Sequence, residues 1–130
     1  MRLKRYLTEA ELDLDNILKN MTLPPGEKNY VIKWVKANPF DKAWSKDRDF
    51  YVGPGGSGAS IGSRYKRFIS FLANYTGKIE TPIVYVDDDG KVSFSNGRHR
   101  FAVLRDLGAE KIPVGLYVPS IKNAKKFGYI

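Results

Sequence analysis

The segment TPIVYVDDDGKVSFSNGRHRFAVLRDLGAEKIPV, Thr81–Val114, carries the densest local signals in the chain. Thr81–Val86 is a short run of β-branched and aromatic residues, which predicts a buried strand. Asp89-Gly90 predicts a tight hairpin turn into a second strand, KVSF. Asn96-Gly97 then opens a helix from about Arg98 to Leu107, closed by Gly108. KIPVGLYV, residues 111–118, reads as a further strand. Strand, hairpin, strand, helix and strand together specify a small sheet with a helix between its last two strands. Asp87, Asp88 and Asp89 alternate faces along an extended chain, so at most two can converge on one ion. A solvated hairpin tip is favoured over a metal site there.

Upstream lies GPGGSGASIG, residues 53–62, a glycine-rich loop. The helix that follows, starting near Ser60, has one apolar stripe of Ile61, Tyr65, Phe68, Ile69, Leu72 and Tyr75, with Gly77 just beyond it. NYVIKWVKANPF is enriched in β-branched and aromatic residues and reads as a strand stopped at Asn38-Pro39. DKAWSKDRDFYV reads as irregular. Near the N-terminus, Thr8 to Glu11 fits a capping box. Leu7, Ala10, Leu14, Ile17 and Met21 follow at helical spacing, predicting an amphipathic helix over about 8–20 that either packs on the domain or serves as a partner-binding arm. TLPPGE ends it as a short linker. Pro119-Ser120 starts a short basic C-terminal helix. The expected fold is α+β (mixed α/β), a small mixed β-sheet flanked by helices. One domain spans 1–130, with 1–27 as N-terminal helix and linker.

The composition narrows the chemistry. The 130 residues include no cysteine and one histidine, which removes disulfides, thiolate metal sites, thiol nucleophiles and multi-histidine metal sites. Apolar runs are too short to span a bilayer, and the basic N-terminus turns acidic where a signal peptide needs an apolar core. The expectation is a cytoplasmic protein with no membrane partner. Net charge is +8 and the isoelectric point about 9.7. That suits a well-solvated basic surface or a polyanionic partner such as nucleic acid, a nucleotide or an acidic protein.

Two helices begin directly after glycine-bearing loops, and each presents free amides and the positive end of its dipole, features that suit phosphate. On the helix after Gly97, Phe101, Val103, Leu104 and Leu107 fill the arc that should face the core. Arg100 falls inside that arc, where an unpaired charge is costly. Arg98, His99, Arg105 and Asp106 fall on the other side and need only solvent. On the helix after the glycine-rich loop, Arg64 sits at the edge of the apolar stripe, whereas Lys66 and Arg67 point away. Two guanidiniums and two helix starts around one anion resolve both conflicts. The alternative is that each arginine pairs with an internal carboxylate such as Asp49, Glu80 or Asp87. The glycine-rich loop is no Walker A sequence, and His99 has no nucleophile-elbow neighbour.

Thr81–Val114 resembles the core of the ParB/sulfiredoxin-like superfamily, whose pattern is a Pro-Ile/Val strand, a hairpin, a "DG-x-HR-x-x-A" helix start and "LG-x-x-x-IPV". The match covers about a quarter of the chain closely. The resemblance implies that Gly97, Arg98, His99 and Arg100 form a turn that binds nucleotide phosphate. It also implies, more loosely, polar contacts from Ser57, Ser60 and Arg64. Sulfiredoxins carry a catalytic cysteine where this chain has Arg98, so sulfinic-acid repair is not implied. The helix-turn-helix and dimerisation domains of ParB partition proteins have no counterpart in these 130 residues. The implied function is binding of a nucleoside triphosphate with Mg²⁺, with hydrolysis open and His99 as the candidate catalytic base. Alternatives are a DNA-binding protein or nuclease using the same basic cleft, or a phage or plasmid protein that inhibits a host protein through the N-terminal helix and basic tail.

Overall fold

A computed structural model describes residues 13–74 and 78–130 of the chain. β4 (Ile83–Val86) and β5 (Val92–Asn96) form an antiparallel hairpin. At its tip the Asp87 carboxylate accepts the N–H groups of Asp89 and Lys91 at 2.9 and 2.8 Å, so this aspartate organises the turn. α4 (Arg98–Asp106) leads to β6 (Lys111–Tyr117), which lies parallel to β4. β1 (Tyr30–Lys36) pairs antiparallel with the outer side of β6, from Tyr30↔Tyr117 to Lys36↔Lys111. The sheet order is β1-β6-β4-β5, a mixed four-stranded sheet, and the class is α+β as the sequence predicts. β6 is central, and Ile112 to Leu116 are all buried, the continuous apolar run expected of a strand covered on both faces. Pro113 cannot donate to a ladder, and it precedes Gly115, the first β6 residue paired to β4.

The other elements frame this sheet. α1 (Leu14–Lys19) is capped by Asp13, whose carboxylate accepts the N–H of Asn16. The predicted capping box at Thr8–Glu11 and the start of the predicted 8–20 helix lie outside the described residues. α2 (Ala37–Trp44) corrects the reading of Asn38-Pro39 as a stop and of Asp41–Trp44 as irregular. Pro39 falls in the first helical turn, where its missing N–H has no partner to lose. Ala37, Phe40 and Trp44 are buried at helical spacing. Val52–Gly53 (β2) and Ser57–Gly58 (β3) form a small two-stranded sheet inside the glycine-rich loop. α3 (Arg64–Asn74) starts four residues later than the predicted Ser60, leaving Ile61 exposed ahead of it. Tyr65 and Leu72 are buried, whereas Tyr75 and Gly77 lie outside the described residues. α5 (Ile121–Lys126) closes the chain. No described helix is long and apolar enough to cross a membrane.

An aromatic cluster in the core fixes the β5–α4 junction. Phe40 and Trp44 of α2 pack with Phe94 of β5 and Phe101 of α4, with ring centroids 4.5–6.0 Å apart. Edge-on and tilted aromatic pairs at such distances are favourable beyond their area. Phe94 and Phe101 thus anchor both sides of residues 95–100.

Candidate functional site

Between those anchors the chain reverses at Gly97, with φ 78° and ψ 19°. A Cβ here would lie 2.7 Å from Arg100 Nη2 and 2.8 Å from Pro82 Cα. Glycine is therefore required twice, for the left-handed backbone and for the space that the Arg100 guanidinium fills. Arg100 Nε and Nη2 are both buried and have no hydrogen-bond partner among the described residues. Burial pushes the Arg100 pKa down, and the field of Glu80 only partly offsets this. Among the described residues, neither Arg100 nor Arg64 forms an ion pair with a carboxylate. The amides of residues 98–100 precede the first intrahelical bond of α4, from Phe101 N–H to the Gly97 carbonyl. Helix-start amides and a partnerless guanidinium thus share one place.

Gly97 and the first residues of α4 line a cavity of about 920 Å³. α4 contributes Arg98, His99 and Arg100 to it, and the first two turns of α3 contribute Arg64 and Arg67. With Lys78 included, five cations line it against one carboxylate, Glu80, counting described residues. Arg67 corrects the expectation that it points away. It lies three residues after Arg64 and so shares its helix face. Lys66, the next residue round, is exposed and not part of the lining. The apolar wall includes Phe50, Ile61, Phe68 and Phe71, with Phe50, Ile61 and Phe71 among the exposed large apolar side chains. The structure does not bring Ser57 or Ser60 to the cavity. The Ser57 hydroxyl donates to the Pro54 carbonyl at 2.9 Å, inside the small hairpin.

The side of α4 expected to face water is covered by the glycine-rich loop, which corrects the reading of Arg98, His99, Arg105 and Asp106. Arg98 Nη1 donates to the carbonyls of Phe50 and Ala59 at 2.8 and 2.7 Å. Arg105 Nη1 donates to the Val52 carbonyl at 2.7 Å and to Asp41 at 2.9 Å. Asp106 accepts from Gly55 N–H at 2.9 Å and from the Tyr65 hydroxyl, and it pairs with Arg105 at 2.9 Å. Burial alone would lower the Arg105 pKa, but the bonds to Asp106 and Asp41 reverse that and raise it. One face of α4 therefore straps down residues 50–61 along their length.

His99 belongs to this strap. It is 7% exposed, and Nε2 accepts the Ile61 N–H at 3.0 Å. Burial, then Arg98 and Arg64, hold its pKa down to about 4. The ring is thus neutral at pH 7, with its proton on Nδ1. A base role for His99 requires that the Ile61 amide release Nε2.

Of the residues named from the sequence, the structure brings Gly97, Arg98, His99, Arg100 and Arg64 together. It adds Arg67 and the phenylalanine wall, which the sequence reading missed, and Glu80, which that reading named as a possible internal partner of the arginines. The signal for Arg67 was its spacing from Arg64. No comparable signal marked Phe50, because its exposure depends on the tertiary path of the loop. No protein-family model, curated protein or solved structure matches the chain.

Proposed function

We propose that the protein binds the phosphates of a nucleoside triphosphate in the arginine-lined cavity, as a ParB/sulfiredoxin-like domain acting in the cytoplasm. The observation that carries this reading is Arg100. Arg100 lines a cavity where cations outnumber acids among the described residues, and two of its nitrogens are buried with no hydrogen-bond partner among those residues. An anion that gains access to these nitrogens supplies the missing acceptors, and charge-assisted bonds to phosphate are about twice as strong as neutral ones. Arg64, Arg67 and Arg98 add field, and the α4 amides add donors.

Among the described residues there is no cluster of three His, Cys, Asp or Glu that could hold a metal ion. Glu80, the only cavity carboxylate among the described residues, would meet an Mg²⁺ ion brought with the triphosphate. When bound, it neutralises charge on the phosphates. Should hydrolysis occur, Arg100, Arg64 and Arg67 stabilise charge on the transferring group, and catalysis is mainly electrostatic. His99 is the candidate base once the Ile61 amide has released Nε2.

The test is a thermal-shift screen of nucleoside triphosphates with and without Mg²⁺, repeated with Arg100→Ala. A ligand specific to the native state raises the wild-type melting temperature, and the variant should lose that rise while staying folded. Equal shifts in both proteins sink the proposal.

A second reading is a DNA-binding protein or nuclease using the same cleft. It is favoured by the exposed Phe50 and Phe71 beside the cations, since aromatic platforms in basic grooves suit single strands. It predicts affinity for DNA that falls linearly on a log–log plot against salt. A flat salt response counts against it.

A further inference from the structure

The cavity is not uniform along α3. Arg64, Arg67, Phe68 and Phe71 all line it, at positions i, i+3, i+4 and i+7, so they form one stripe on one helix face. Arg64 is the first residue of the helix, and Arg64 to Phe71 spans roughly 10 Å along the axis at 1.5 Å per residue. The stripe is thus cationic at one end and aromatic at the other. Phe71 is 43% exposed. Phe68 backs it, with centroids 5.9 Å apart and ring planes 21° from parallel. At the cationic end, Arg98 lies over the Phe50 ring at 5.6 Å and within the field of Arg64. Along this stripe of α3, charge and flat apolar surface are separated by a distance comparable with the reach of a nucleotide from phosphate to base.

We infer that Phe71, supported by Phe68, is the base-stacking subsite of the cavity, and that the ligand is a mononucleotide whose phosphates lie towards Arg64 and Arg67. The inference rests on the proposed phosphate site and adds to it. Phosphate binding alone gives no role to the aromatic end, whereas an aromatic base uses both ends of the stripe. A lipid phosphate has an apolar part but no flat face to match the phenylalanine rings, and inorganic phosphate has neither.

Stacking on an aromatic side chain changes affinity by roughly 5- to 140-fold per base. The full chain is titrated calorimetrically with ATP and with inorganic tripolyphosphate. Phe71→Ala is expected to weaken ATP binding at least about 5-fold and to leave tripolyphosphate binding unchanged, and Phe71→Tyr to restore ATP binding. Unchanged ATP affinity in Phe71→Ala, or equal weakening of both probes, overturns the subsite while leaving the phosphate site standing. A wild-type protein that binds neither probe removes the phosphate reading and the subsite with it. A short thymidine oligonucleotide that binds and is not displaced by ATP overturns the mononucleotide assignment.

Discussion

Replacing Arg100 with methionine should make the unliganded protein more stable, a result that separates a binding residue from a structural one. Methionine keeps the unbranched stem that packs beside Gly97 and Pro82 but carries no donors. Wild type leaves Nε and Nη2 buried without acceptors, and each such group costs about 1–3 kcal/mol. Some of that gain is lost where the thioether fits the guanidinium space imperfectly, so the net expectation is about 1–3 kcal/mol of added stability. For a chain of this length that corresponds to a rise of roughly 3–10 °C in melting temperature. The assay is urea unfolding at pH 7, supported by differential scanning fluorimetry. A methionine variant less stable than wild type by about 1 kcal/mol or more refutes the reasoning, because the guanidinium would then be held by an interaction that stabilises the fold.

Gly97→Ala should lose about 2–4 kcal/mol, since it combines a left-handed residue with a Cβ 2.8 Å from the Pro82 backbone, and thermal unfolding measures it. Stability should also fall with acid at His99. The unfolded chain takes up a proton near pH 6.5, but the folded ring does so only near pH 4. The contribution is complete above about pH 6.5 and is lost as pH drops towards 4, by up to about 3 kcal/mol. His99→Gln, which keeps an acceptor for Ile61 N–H, should flatten the stability profile in that window relative to wild type. Asp106→Ala removes the acceptor for Gly55 and Tyr65 and one partner of Arg105, and should cost about 2–4 kcal/mol in denaturant titration. Its second signature is faster proteolysis within residues 50–61.

The hairpin, α4 and β6 were legible in the sequence because each boundary carries a local signal. Asp89-Gly90, Gly97 and Gly108 mark turns that only a few residue types make, and the strands between them are short and apolar. α2 was not legible, since Pro39 reads as a breaker unless the helix start is already known. Arg100 was legible as a charge in an apolar arc. Its neighbours were not, for a general reason. Helical periodicity tells which side of α4 faces the sheet, but it does not tell what covers the opposite side. That cover is a loop some 40 residues earlier, and its carbonyls turn Arg98 and Arg105 from surface charges into clamps. His99 and Asp106 acquire their partners in the same way. Ser57 was misplaced because the small hairpin turns its hydroxyl back onto Pro54.

Nuclear magnetic resonance of the arginine side chains tests the central claim most directly. The Nε–H signal of Arg100, assigned by its loss in Arg100→Lys, is followed while inorganic tripolyphosphate is added. This signal is expected to move strongly downfield and saturate, as a buried N–H without an acceptor gains a charged one. A signal that stays in place while other arginines respond would contradict it.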